Sequence, residues 1–284
     1  MQKEFHINMS GKVDLHTHTS YSDGFHSPEE LLDKAKTVGI EILGISDHDN
    51  LAAIKEATEI GKRLGIEIIP GVEISTDLKD KEIHILAYFI EPDNEELERY
   101  LTFFREERLK RAERIIRKLN ILGLNITISD VLEKAQNSAV GRPHIAQALL
   151  EKGEVSSYYE AFNKYIGNGC PAYEKKVHLS PQSAFKIISD AGGLSFIAHP
   201  GYMPEAILKE LITAGVDGIE VIHPSHSPQQ IRFYRGIVNE YFLLESGGSD
   251  FHGGKRDDEE NLGKIYTNIN VVEAMRQRLL RNSA

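Results

Sequence analysis

Six strand-like runs in this chain end on a histidine or a carboxylate, and that recurrence constrains the fold more than any single motif. Lys12 to Leu15 runs into His16-Thr17-His18, Ile40 to Ser46 into Asp47-His48-Asp49, and Ile66 to Pro70 into Gly71-Val72-Glu73. Later, Leu194 to Ala198 empties into His199-Pro200, Gly218 to Ile222 into His223, and Phe242 to Ser246 into Gly247-Gly248-Ser249-Asp250-Phe251-His252. A further strand, Ile83 to Ile90, carries His84 near its start. Helix signals alternate with these strands. Ser27-Pro28-Glu29-Glu30 and Ser227-Pro228-Gln229-Gln230 are capping-box starts with proline at the first helical position. Ser180-Pro181-Gln182 opens another helix, Leu51 to Leu64 stops at Gly65, and Pro204 to Ala214 is helical. Strand and helix in alternation predict a parallel α/β barrel, whose strand ends converge on one face.

The rhythm breaks after Pro92. Glu95 to Leu119 reads as one long helix, with Leu97, Leu101, Phe104, Ala112, Ile115 and Leu119 along one stripe and a charged, solvated opposite face. Shorter helical patterns follow without strands. The chain therefore divides into barrel segments 1–94 and 176–284 around a helical insertion over 95–175.

A length of 284 residues suits one large α/β barrel carrying such an insertion, and 40% hydrophobic residues suffice for its core. The net charge of -10 argues against wrapping long nucleic acid, which needs many Lys and Arg contacts to phosphate. No apolar run reaches the length of a membrane span and the N-terminus does not begin a signal peptide. The single Cys170 excludes an internal disulfide, and the expected compartment is the reducing cytoplasm.

The residues at the strand ends are metal-ligand types. A His-x-His pair on an extended strand points both imidazoles to one face, within reach of one ion. His16, His18, Asp23, His48, Glu73, His84, His199, Asp250 and His252 together exceed the needs of one tetrahedral ion. Two or three ions sharing a bridging carboxylate is the economical reading. Imidazole with carboxylate and no thiolate suits Zn, Mn or Fe. Only Asp23, Glu73 and Asp250 are anionic, so three divalent ions would leave a charge of roughly +3 in an otherwise acidic chain. Such a cluster acidifies a bound water, polarises phosphoryl oxygens and stabilises a leaving oxygen, which favours phosphoester hydrolysis over redox chemistry. Amide or lactone hydrolysis stays open on ligands alone.

Asp14-Leu15-His16-Thr17-His18-Thr19-Ser20-Tyr21-Ser22-Asp23-Gly24, Ser46-Asp47-His48-Asp49, Pro70-Gly71-Val72-Glu73-Ile74-Ser75, His84-Ile85-Leu86-Ala87-Tyr88, Ala198-His199-Pro200-Gly201 and Gly248-Ser249-Asp250-Phe251-His252 resemble the PHP (polymerase and histidinol phosphatase) family. The resemblance spans nearly the whole chain and implies a distorted (β/α)7 TIM-like barrel with a trinuclear metal centre. It assigns one ion to His16, His18, Glu73 and Asp250, a second to Glu73, His84 and His199, and a third to Asp23, His48 and His252. Glu73 is then the bridge and is counted among the catalytic residues. Many relatives carry histidine at the position of Asp23; aspartate there resembles a subgroup acting on nucleotides and shifts metal preference toward Mn or Fe.

Within the insertion, Gly141-Arg142-Pro143-His144-Ile145-Ala146 resembles an element of PHP phosphatases that remove the 3′-phosphate from nucleoside 3′,5′-bisphosphates, or cleave AMP or short RNA ends. The resemblance makes Arg142 a bidentate phosphate ligand and His144 a second contact or proton donor. Glu220-Val221-Ile222-His223-Pro224-Ser225-His226 makes His223 and His226 further candidate substrate contacts. Gly167-Asn168-Gly169-Cys170-Pro171-Ala172-Tyr173 departs from relatives in which that loop is more basic; Cys170 reads as a passive small residue. His6, His26 and His178 have no assigned role. The expectation is a phosphomonoesterase of small nucleotides that uses three divalent ions (Mn, Zn or Fe) and attacks phosphorus with a metal-activated water. Trimming of short oligoribonucleotides from 5′ to 3′ is a second activity the resemblance suggests. The competing readings are a histidinol-phosphate phosphatase, a polymerase-associated proofreading module and a catalytically silent metal-binding partner. Oligomeric state is not legible.

Overall fold

The computed structural model describes residues 11–79, 81–135, 140–177, 179–254 and 258–282. Along the chain these form β1 (Lys12–Asp14), α1 (Pro28–Thr37), β2 (Ile40–Ile45), α2 (Ala53–Leu64), β3 (Glu67–Leu78), β4 (Lys81–Tyr88), α3 (Glu95–Ile121), α4 (Ile128–Ala135), α5 (Arg142–Glu151) and α6 (Tyr158–Glu160). A π-helical turn (Ala161–Ile166) follows, then α7 (Pro181–Asp190), β5 (Leu194–Ile197), α8 (Glu205–Thr213), β6 (Gly218–Ile222), α9 (Pro228–Glu240), β7 (Leu244–Gly247), β8 (Thr267–Asn268) and α10 (Ile269–Asn282). Two compact units result, one comprising Glu98–His178 and the other the segments on either side of it. No helix among the described residues is long and apolar enough to cross a membrane.

The helix starts follow their local chemistry. Ser27 and Glu30 exchange reciprocal bonds at the head of α1, and Ser227 and Gln230 do so at the head of α9. The Ser180 hydroxyl accepts the Ser183 N–H at 3.1 Å. A proline at the first helical position follows each cap, where its missing N–H costs nothing. Gly65 closes α2 in a left-handed conformation at φ 68°.

The flanking segments build a distorted TIM-like α/β barrel. The sheet order is β7-β6-β5-β4-β3-β2-β1-β8. Pairings β1–β2, β2–β3, β5–β6 and β6–β7 are parallel. The circuit closes where Leu15 N–H donates to Gly247 O at 3.2 Å and His18 N–H to Phe251 O at 3.0 Å. Two departures from the expected parallel pattern matter for the site. β3 runs on past Pro70 to Leu78, and β4 is antiparallel to both of its neighbours, β3 and β5. A short antiparallel β8 pairs with β1 as well. Inside the barrel, Val13, Leu15, Ile42, Ile69, Leu86, Tyr88, Leu194 and Phe196 pack with Val272 and Met275 of α10. The Tyr88 and Phe196 rings meet edge to face, with centroids 5.0 Å apart.

The second unit holds its own core of Ile115, Leu119, Val131, Ile145, Leu149 and Ile166, and no strand among its described residues. The solvated face expected for α3 needs one correction. Arg111 is only 8% exposed, and its Nε donates to the Glu174 carbonyl at 3.0 Å, so this charge is drawn inward by a backbone acceptor.

Candidate metal centre

Strand geometry brings the candidate ligands together. Thr17 forms a parallel bridge to Phe251 and its hydroxyl donates to Gly44 O at 2.7 Å, so Thr17 turns toward the wall while His16 and His18 share the opposite direction. His48 bridges Glu73 in the same way. Glu73 lies inside the long β3, and His84, in β4, is registered opposite Ser75. Because β4 runs against its neighbours, its beginning lies on the rim where the parallel strands end. Antiparallel direction is thus what delivers His84 to the same face as the others. Three non-glycine residues at this rim, Asp49 (φ 50°), His199 (φ 24°) and Asp250 (φ 50°), hold a backbone region that side chains rarely adopt, as at many functional sites. A Cβ on Gly248 would stand 2.4 Å from His16 N, so only glycine permits the β1 and β7 ends to approach this closely.

One group consists of His16, His18, Glu73 and Asp250. His16 Nε2 is 3.1 Å from His18 Nε2, 3.2 Å from Glu73 Oε2 and 3.2 Å from Asp250 Oδ1. His18 Nε2 is 3.3 Å from Glu73 Oε2 and 3.2 Å from Asp250 Oδ1. Ligands about 2.0–2.1 Å from a tetrahedral ion are about 3.3–3.4 Å from one another, so these edges fit such an ion. The other Glu73 oxygen, Oε1, meets His84 Nδ1 at 2.8 Å and His199 Nε2 at 2.9 Å. Glu73 therefore turns its two oxygens to two different sets of imidazoles. A third group gathers around Asp23, whose Oδ2 is 3.4 Å from His252 Nε2 and 3.8 Å from His48 Nε2. His48 Nε2 is also 3.4 Å from Glu73 Oε2, which places it between groups. His18 Nδ1 faces Asp23 Oδ1 at 3.7 Å, so the His18 ring stands between two groups as well. His18 Nδ1 and His252 Nε2 are buried nitrogens that complete no hydrogen bond, and with His252 Nδ1 donating to Asp250 O its Nε2 lone pair is the one left for a cation.

A ring of carboxylates that the sequence reading assigned no role orients these ligands. Glu220 is fully buried; its Oε1 lies 2.9 Å from His16 Nδ1 and its Oε2 accepts the His199 N–H at 2.6 Å. That carboxylate–imidazole pair fixes the tautomer that leaves His16 Nε2 toward the group. Asp14 Oδ1 accepts the N–H groups of His16 and Ser249 at 3.3 and 2.9 Å. Asp47 receives the Thr19 N–H at 2.7 Å and the Thr19 and Ser22 hydroxyls, shaping the turn that carries Asp23. Asp258 accepts the N–H groups of His252 and Gly254, and His252 Nδ1 donates to Asp250 O at 2.8 Å. For Glu220 and Asp14 the sequence signal was a charged residue inside an apolar strand, as in Gly218-Ile219-Glu220-Val221-Ile222; Asp47 and Asp258 lie outside strands and carry no such mark.

Electrostatics follow from burial and crowding. Burial, the largest influence, disfavours charge on Glu73 and Asp250, yet the surrounding histidines hold both carboxyls well below the usual range. Against the same burial, Asp250 and Glu73 push His18 up to about 9, and Glu73 pushes His84 up to about 10. His48 goes the other way, to about 3, because burial dominates and His18 and His84 add like charge. Without cations the cluster holds protons in their place.

The expected substrate contacts are placed differently from one another. His223 Nδ1 accepts the Ser225 N–H at 3.1 Å and its Nε2 lies 3.3 Å from Asp250 Oδ2, so it steadies that carboxylate. His226 is 7% exposed; its Nδ1 donates to Val221 O at 3.0 Å and its Nε2 accepts the Gly201 N–H at 3.2 Å. Both His226 nitrogens are thus bound to backbone groups in this structure. In the second unit, Arg142 stands at the start of α5, Nη1 donating to Ile166 O at 3.2 Å and Asn168 Oδ1 at 3.1 Å. Its guanidinium lies over the Phe162 and Tyr173 rings at 5.9 and 5.6 Å. His144 Nδ1 accepts the Gly141 N–H at 3.2 Å. Cys170 Sγ makes a weak bond to Asn163 O at 3.3 Å, and the His26 ring stacks on Phe251. His6 and His178 lie outside the described residues.

A family model described as PHP domain matches residues 14–168. A 5′-3′ exoribonuclease of Haemophilus influenzae is 34% identical over 250 residues, 86% of this chain and 91% of its own. A 3′,5′-nucleoside bisphosphate phosphatase of Chromobacterium violaceum is 33% identical over 255 residues, 86% of this chain and 90% of its own. Among solved structures, a protein of Bifidobacterium adolescentis described as a metal-dependent phosphoesterase superimposes with a TM-score of 0.78 at 31% identity, covering 95% of this chain and 96% of that one.

Proposed function

The chain belongs to the PHP family and is a metal-dependent hydrolase of phosphoric esters, and from this premise we propose that it removes phosphate from nucleoside 3′,5′-bisphosphates or AMP and trims short oligoribonucleotides from the 5′ end. The observation that carries this reading is Glu73, whose two oxygens face separate sets of imidazoles within one cluster. We assign three divalent ions, Mn, Zn or Fe, to this cluster. The first falls to His16, His18, Glu73 and Asp250, the second to Glu73, His84 and His199, and the third to Asp23, His48 and His252. Hard and borderline oxygen and nitrogen donors without thiolate fit such ions. Bound there, the ions supply Lewis-acid charge and an acidified water for attack at phosphorus.

The protein's own residues do the positioning. Glu220 fixes the tautomer of His16, Asp258 and the Asp250 carbonyl set the His252 ring, and His223 steadies the outer oxygen of Asp250. Arg142 is proposed as a phosphate ligand. Both of its bonds use Nη1, so the Nη2 edge suits a phosphate oxygen, and the aromatic rings beneath hold the guanidinium flat. His144, whose Nδ1 accepts the Gly141 N–H, is proposed as a second phosphate contact or proton donor.

The test is phosphate release, with Mn supplied, from AMP, nucleoside 3′,5′-bisphosphates, histidinol phosphate and short RNA. The highest kcat/KM is expected for a nucleotide, and a preference for histidinol phosphate sinks the reading. Arg142→Ala is expected to lower kcat/KM on the bisphosphate by about 100-fold. Unchanged turnover removes Arg142 from the site.

A further inference from the structure

Beside the His199 loop lies a cleft of about 340 Å³ lined by Gly201, Tyr202, Met203, Gln229, Phe233 and Tyr234, among others. Its size falls within the range of about 300–1,000 Å³ usual for small-molecule sites. Two aromatic side chains on its wall are open to solvent, Tyr202 at 90% and Phe233 at 49%. Its floor is rigid: Tyr234 is 1% exposed and its hydroxyl donates to Gly201 O at 2.8 Å. Gln230, also lining the cleft, turns Oε1 to the Ser227 N–H and hydroxyl at 2.8 Å each, which leaves its amide N–H groups as the donor end. A run of ring contacts, the first tilted and the second stacked, leads from the metal centre toward the cleft. His223, 3.3 Å from Asp250, is followed by His226 at a centroid distance of 5.4 Å, and His226 by Tyr234 at 5.6 Å. Gly201, on the cleft wall, follows His199 by two residues, and its N–H donates to His226 Nε2 at 3.2 Å.

We propose that this cleft binds the nucleobase of the substrate, stacked on the Tyr202 and Phe233 rings, while the phosphate occupies the metal centre. This rests on the nucleotide reading above and adds to it the subsite that separates nucleotides from other phosphate esters. Exposed rings with few charges near them suit a flat, uncharged heteroaromatic ligand, and stacking tolerates any base because every base has a π face. Amide groups from Gln229 and Gln230 suit the polar edge of the base.

The test compares kcat/KM for a nucleoside 3′,5′-bisphosphate and for ribose 5-phosphate, with Mn, in the full chain and in a Tyr202→Ala/Phe233→Ala double variant. Both side chains are exposed enough for the fold to survive. Selectivity for the bisphosphate over ribose 5-phosphate is expected to fall about tenfold, through KM, within the range of base–aromatic stacking. Phe233→Tyr, which keeps the ring face, is expected to retain the selectivity of the original chain. A double variant with unaltered selectivity overturns the base site. An original chain that hydrolyses ribose 5-phosphate but no nucleotide overturns the proposed function itself, a result visible before any variant is made.

Discussion

At the scale of single residues, the ligands are only as good as the groups that aim them. Glu220 is the clearest case, since one buried carboxylate holds the ring of His16 with one oxygen and the backbone of His199 with the other. Glu220→Gln keeps the shape but removes the charge that fixes the His16 tautomer. Metal affinity measured by titration calorimetry is expected to weaken about 10–100-fold, the usual cost of losing such an outer partner. An affinity within twofold of the original makes Glu220 a packing residue only. His226 shows backbone doing the same work: its two nitrogens are held by Val221 O and by the Gly201 N–H.

At the scale of elements, the rim depends on how closely strands and helices meet. The ends of β1 and β7 touch through Gly248, where a Cβ would strike His16 N at 2.4 Å. Gly248→Ala is expected to cost about 1–3 kcal/mol or more, because backbone rather than a flexible side chain must yield. Gly236 in α9 is the control, with no atom within 4 Å of the position its Cβ would take. Gly236→Ala is expected to be neutral or to stabilise by up to about 1 kcal/mol through helix propensity. Urea unfolding of both variants measures the contrast, and equal midpoints refute the close-approach account. The β3–β4 pair is the other decisive element: its antiparallel course places Glu73 and His84 on the same rim, their partner atoms 2.8 Å apart.

At the scale of the whole molecule, cation binding and stability are linked. In the cation-free protein, His18 and His84 have pKa values raised to about 9 and about 10, so the stability they contribute is full below the unfolded value near 6.5 and is lost as pH rises toward 10. The depressed carboxyls of Glu73 and Asp250 contribute above their unfolded values and lose that contribution in acid. A divalent ion needs unprotonated imidazoles, so binding releases protons and strengthens as pH rises. Excess Mn at 100 times its dissociation constant stabilises by about 2.7 kcal/mol. The rise in Tm on adding a fixed concentration of Mn to EDTA-treated protein is therefore expected to be larger at pH 8 than at pH 6. A shift that shrinks with pH, or no shift at all, refutes this linkage.

The sequence by itself determined the chemistry of the cluster, because ligand type is a property of the residue and strand ends leave a local hydrophobic signature. His16, His18, His48, Glu73, His199, Asp250 and His252 stood out in the sequence as one set of candidate ligands for that reason, and the structure brings their side chains together; the capped starts of α1, α7 and α9 were legible from three or four adjacent residues. Only the tertiary structure decided the direction of β4, the length of β3, and the service of Glu220, Asp14 and Asp258 to ligands beside them. Strand direction leaves no mark on a local pattern. His16 and Glu220, 204 residues apart, meet only when the barrel closes and burial makes each the other's best available partner.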